Sequence, residues 1–178
     1  MSLEGQDMEE HLVQKYGSSA RQMLHDPKSR LKLMGEAVGI HFNNNRRMVN
    51  TIQAHQLMEF IKDKYGNDKA NALMEQLYER YFVQAQDISK LETLVQVAND
   101  VSISGDDVQR AMVEVPSTLI LQKDRHVKQN LGVTGVPFFM IYGADDDEDD
   151  DEPTVFSGAY PISFIADLLQ KASKASTK

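Results

Sequence analysis

The sequence predicts an α/β fold that is predominantly helical and ends in a short β-hairpin. Three observations carry this prediction. Between Ala54 and Met112 the apolar residues recur at helical spacing. Phe138 to Tyr142 is then an unbroken apolar run behind Pro137, with a second short strand pattern at 154–157. A last amphipathic stretch places Ile165, Leu168, Leu169 and Ala172 on one inner face. The expected order is a helical block followed by helix–strand–strand–helix.

The elements are justified in turn. Glu9 to Tyr16 reads as a short helix closed by Gly17, and Ser18 or Ser19 starts the next turn. Asp26-Pro27 has the form of an N-cap and first helical residue, which predicts a helix from there to about Val38. The Asn-rich stretch His41 to Asn45 reads as loop. Ala54, Leu57, Met58 and Ile61 sit at i, i+3, i+4 and i+7, and Gly66-Asn67 ends that helix. Ala70, Leu73, Met74, Leu77, Tyr78 and Tyr81 form the next stripe. Ser89 with Glu92, and Ser104 with Asp107, have the form of capping boxes before two further helices. Pro116 breaks the run, and a helix follows from about Ser117 to Asn130. The run from Phe138 suits a strand buried on both faces, too apolar for a wet sheet edge. It is therefore expected to be covered by helices or by another chain. Pro161 suits the first turn of the last helix.

The chain carries 27 acidic and 19 basic residues, a net charge of −8. The imbalance is local, because Asp145 to Glu152 are all acidic and the remainder is balanced. There is no basic footprint for nucleic acid. The acidic run is expected to be a solvated loop. It lacks the glycine and spaced ligands of an EF-hand, which weighs against calcium. No run is long enough to span a membrane and no leader pattern is seen, so a cytoplasmic location is expected. With no cysteine, the 178 residues can form no disulfide, thiolate metal site or thiol nucleophile. His11, His25, His41, His55 and His126 are scattered without helical metal-site spacing, so no metal is expected. Met48, Met58, Met74 and Met112 read as core rather than as a soft-metal site. Ser157 lacks the surroundings of a nucleophile elbow.

Several stretches, taken together and in order, resemble one family. Thr134-Gly135-Val136-Pro137-Phe138-Phe139 and Phe156-Ser157-Gly158-Ala159-Tyr160-Pro161 are similar to the carboxy-terminal half of the DsbA-like thioredoxin domain. Asn50-Thr51-Ile52-Gln53-Ala54-His55, the Tyr81-Phe82 segment through Asp87-Ile88-Ser89, and Met8 to Gly17 resemble its FrnE-like branch. The resemblance implies an incomplete thioredoxin-like fold. Residues 1–178 would form one domain, with a helical insertion over 17–115 and the thioredoxin-like portion over 116–178. Family members begin with a strand, a Cys-x-x-Cys helix and a second strand, and no stretch of this sequence matches that opening. The expectation is therefore a fragment, a misplaced gene start or a shortened paralogue.

The resemblance also implies a site. In the family a low-pKa cysteine faces a cis-proline loop whose backbone pairs with an extended peptide or glutathione. Carried over, Val136 and Pro137 are the substrate-binding half of that site, and Thr134 and Gly135 shape the approach. Asn50 and His55 match positions near its helical cap; read from the residues alone, Asn50 is an N-cap and His55 a surface or core histidine. No residue is assigned a catalytic role. The expected activity is that of a protein disulfide oxidoreductase family member inactive in thiol–disulfide exchange as the cysteine-free chain stands. The alternatives are a glutathione-dependent enzyme of the 2-hydroxychromene-2-carboxylate isomerase or kappa-class transferase type, with glutathione as co-substrate, and a non-catalytic binding module. A homodimer through the exposed sheet edge is a further expectation.

Overall fold

The computed structural model describes residues 5–26, 28–142 and 153–175. The acidic run Asp145–Glu152 and Pro27 lie outside the described residues. The chain divides into two compact units, residues 1–121 and 122–178.

The first unit is helical. It contains α1 (Met8–Tyr16), α2 (Ser19–His25), α3 (Arg30–Glu36), α4 (Ile52–Tyr65), α5 (Asn67–Tyr78), α6 (Leu91–Asp100) and α7 (Gly105–Glu114), with the start of α8 (Ser117–Gln129). Its core is the expected set of stripes. Leu57 and Ile61 of α4, Leu73 of α5, Leu94 and Val97 of α6, and Val108 of α7 are fully buried against one another. The same stripe carries Tyr78 into solvent, because it lies where α5 unwinds. There a π-helical turn, Glu79–Val83, follows, with the Gln84 N–H donating to the Glu79 carbonyl at 3.1 Å.

The caps explain two departures from expectation. Asp26 does not start a helix: α2 ends at His25, and the Asp26 carboxylate accepts from the Lys28 N–H at 2.8 Å. An aspartate that closes a turn on its own backbone competes with the cap geometry, and α3 begins only at Arg30. Ser89 does not cap α6 either. Asp87 accepts from both the Ser89 N–H, at 3.0 Å, and the Ser89 hydroxyl, and α6 starts after Lys90 with no side-chain cap. Ser104 behaves as predicted, accepting from the Asp107 N–H at 3.2 Å. A two-residue antiparallel bridge, β1 (Gln6–Asp7) with β2 (Arg47–Met48), was not foreseen in the sequence.

The second unit holds the end of α8, the hairpin of β3 (Phe138–Ile141) and β4 (Thr154–Ser157), and α9 (Ile162–Ala175). The register pairs Phe138 with Ser157 and Ile141 with Thr154. Phe139 stacks on Phe156 at 4.7 Å between ring centres, and Phe156 meets Phe164 of α9 edge-on at 5.5 Å. The expectation of a strand buried on both faces is not met: all four β3 residues are half-buried. A two-stranded hairpin with one helix packed on it shelters a single face. The inner face of α9 is also narrower than expected. Ile165, Leu168 and Ala172 are half-buried, but Leu169 points to solvent, 54% exposed.

Candidate functional site

The loop that leads into β3 is built by the end of α8 and by the hairpin. Gly132 takes a positive φ of 63°, which lets the chain leave the helix. The peptide bond between Val136 and Pro137 is cis. The Pro137 carbonyl accepts from the Gly158 N–H at 2.8 Å, and the Ser157 hydroxyl lies 3.4 Å from the carbonyls of both Gly135 and Pro137. The far end of β4 therefore clamps Gly135 and Pro137 on one side. A side chain at Gly135 would stand 3.6 Å from the Ser157 hydroxyl, in ordinary contact. Between these two anchors Val136 is left out: its side chain is 86% exposed, and among the described residues its N–H and C=O have no partner. Thr134, also exposed, is in the same condition. Chemically the loop offers main-chain donors and acceptors beside a strand that has no neighbour on its outer edge among the described residues.

Asn50 and His55 belong to the first unit, where they line one cleft of about 560 Å³. The Asn50 side-chain oxygen accepts from the Ile52 N–H at 2.9 Å. Thr51 occupies the N-cap position itself, so Asn50 does the capping from one residue further out. His55 is exposed on the first turn of α4. The same cleft is lined by Met48, Met58 and Met74 and by Tyr81 and Phe82. Met58, Met74 and Tyr81 are residues that the sequence placed in helical stripes, and the π-helical turn is what delivers Tyr81 and Phe82 there. The Tyr81 hydroxyl donates to the Arg47 carbonyl at 3.0 Å and approaches the Met48 sulfur at 3.7 Å. Burial pushes the Tyr81 phenol above its usual range, against the opposing pull of Arg46, so it stays a neutral donor. The two stretches Asn50–His55 and Tyr81–Ser89, remote in sequence, thus meet at one wall. Val49, Leu77 and Ile88 complete this cleft; of these, Val49 was missed by sequence reasoning and carries no signal beyond being apolar. Among the described residues no group of three metal-ligating side chains comes together. No described helix is long and apolar enough to cross a membrane.

Thr134, Gly135, Val136 and Pro137 fall in one loop of the second unit; Asn50 and His55 share one cleft of the first. Comparison with known proteins agrees with this architecture. A crystal structure described as a probable DsbA oxidoreductase from Streptomyces coelicolor superposes with a TM-score of 0.74 at 21% identity, covering 97% of this chain and 69% of that one. A "putative protein disulfide isomerase" from Nitrosomonas europaea gives a TM-score of 0.63 at 15% identity, covering 82% of this chain and 74% of that one. No curated protein matches the chain in sequence. The family model for the DSBA-like thioredoxin domain matches residues 6–170. The chain therefore belongs to the DSBA-like thioredoxin domain family, which sequence motifs at both ends had already indicated.

Proposed function

We propose that the Thr134–Pro137 loop docks an extended peptide segment, or the tripeptide glutathione, through its main chain, and that this chain carries out no thiol–disulfide exchange by itself. The observation that carries the docking half is the exposed Val136, whose N–H and C=O are unpartnered among the described residues beside an open strand edge. Such an edge accepts a peptide as an added strand. The redox half rests on chemistry. Exchange needs a thiolate to attack a disulfide sulfur, and these 178 residues contain no cysteine. Within the family, the Asn50–His55 stretch favours the FrnE-like branch over the glutathione-dependent isomerases and transferases.

Two measurements test this. In an insulin-reduction assay with dithiothreitol, the protein is expected to give no rate above buffer. On titration with reduced glutathione, the backbone amide signals of Thr134, Gly135 and Val136 are expected to shift, and Val136→Asp to weaken binding about tenfold, by 1.4 kcal/mol. Turnover by cysteine-free protein overturns the first half. Glutathione binding that is indifferent to Val136→Asp overturns the second.

A further inference from the structure

We infer that a second cleft, on the first unit between α1, α2 and α3, is a binding site for a free anionic amphiphile: a carboxylate carried on an unbranched apolar chain. The cleft has a volume of about 580 Å³, within the range of small-ligand sites. Met8 and Ala20, both buried, contribute to an apolar wall, and Met23 and Leu31 stand at the exposed rim. Its polarity is one-sided. Arg30, Lys32 and Arg46 line it, and among the described residues no aspartate or glutamate does.

Arg46 is the residue that turns a hydrophobic cleft into a site for an anion. It is only 8% exposed. Its Nη1 donates to the Asn43 carbonyl at 2.9 Å, and its guanidinium lies over the rings of Phe82, at 5.3 Å, and Tyr81, at 5.9 Å. Its Nε has no hydrogen-bond partner, and among the described residues no carboxylate pairs with the group. A buried cation without a counter-ion is costly, and natural proteins pair such groups. The ring faces offset part of that cost. What they do not supply is an acceptor for the Nε–H, and a carboxylate is one. The apolar wall takes the chain and Arg46 takes the head, with Arg30 and Lys32 adding attraction.

The test uses the full chain, isotope-labelled at its methionine methyls, with sodium dodecanoate as probe below its micelle concentration. Met8 and Met23 line this cleft, whereas Met58 and Met74 line the other, so the protein carries its own control. Dodecanoate is expected to shift the Met8 and Met23 signals saturably and to leave Met58 and Met74 in place. Dodecanol, the same chain without the charge, is expected to bind at least about tenfold more weakly, the value of one charge-assisted hydrogen bond. Arg46→Gln is expected to erase that preference. If that variant fails to fold, Leu31→Glu decides: it puts a carboxylate at an exposed rim position and is expected to weaken dodecanoate more than dodecanol. Absence of a saturable shift at Met8 and Met23 overturns the inference. So does equal affinity for dodecanoate and dodecanol, or an unchanged preference in whichever variant folds.

Discussion

Asp107, at the start of α7, accepts from the ammonium of Lys64 and the hydroxyl of Tyr65 at the end of α4. Its carboxylate is almost wholly buried, with Arg110 a further 3.5 Å away. This polar knot ties α4 to α7 through charged groups. The Lys64 hydrogen bond, followed by that from Tyr65, holds the Asp107 carboxyl below its usual range, and burial opposes the shift without reversing it.

The first prediction follows from the sign of that shift. A carboxyl lowered in the folded state binds its proton less readily there than in the unfolded chain. Its stabilisation is therefore complete above the unfolded value, about pH 4, and is lost as pH falls through the folded value. Lys64 is raised, by Asp107 first, so its share is lost only at the alkaline end, above about pH 10. Urea midpoints of wild type are expected to be level from pH 5 to 8 and to fall steeply below 4. Asp107→Asn is expected to melt several degrees lower at neutral pH and to lose much of the acid limb. An acid limb as steep in Asp107→Asn as in wild type would refute the assignment.

The core gives a prediction of a different kind. Leu94 of α6, which packs against α5 and α7, is fully buried in the core cluster. Leu94→Ala removes that packing and leaves a cavity, at a cost of about 3 kcal/mol. Leu169, on the equivalent-looking stripe of α9, stands mostly in solvent. Leu169→Ala is expected to cost less than about 0.5 kcal/mol. Equal costs in a denaturant series would show that the α9 face is buried after all.

That contrast shows where the sequence was legible. In α4 to α7 the apolar period and the Ser104 cap agree with each other, and burial follows both. In α9 the period alone put Leu169 inward, because periodicity does not say how wide a stripe the neighbouring hairpin covers. Asp26 and Ser89 misled for another reason: a short polar side chain serves a turn or a helix cap equally well, and only the backbone decides. The β1–β2 bridge joins residues some forty apart with two residues a side, too few for any alternation. At the candidate sites, Val136-Pro137 was readable from its motif. Arg46 was not, since Arg46-Arg47 looks in sequence like an ordinary exposed basic pair. Only the fold separates them, burying Arg46 and leaving Arg47 exposed.

The outer edge of β3 invites a third prediction. Its residues are half-buried and apolar, and the edge has no strand beside it among the described residues. Such an edge pairs with another chain unless something blocks it. Sedimentation is expected to show a dimer that dissociates on dilution. Val136→Asp, which puts a charge at the head of that edge, is expected to shift the equilibrium toward monomer. A wild-type protein that stays monomeric at the highest attainable concentration rules out edge pairing between copies.

Gly35, the last buried position of α3, supplies the fourth. A glycine inside a helix ordinarily gains roughly 0.5–1 kcal/mol when replaced by alanine. Here the sign reverses. A Cβ at Gly35 would stand 2.7 Å from the Ile40 carbonyl and 2.7 Å from the Phe42 ring. The ring has room to turn, but the carbonyl is backbone, and it belongs to the same turn in which the Ile40 N–H donates to the Gly35 carbonyl at 2.8 Å. Relieving the clash means opening that turn. Gly35→Ala is therefore expected to destabilise by about 1–3 kcal/mol, the range for overpacking a filled site. Because Phe42 lines the α1–α3 cleft, its ring signals are expected to move as well. A variant more stable than wild type, with Phe42 unmoved, would show that the Ile40 turn does not close on α3.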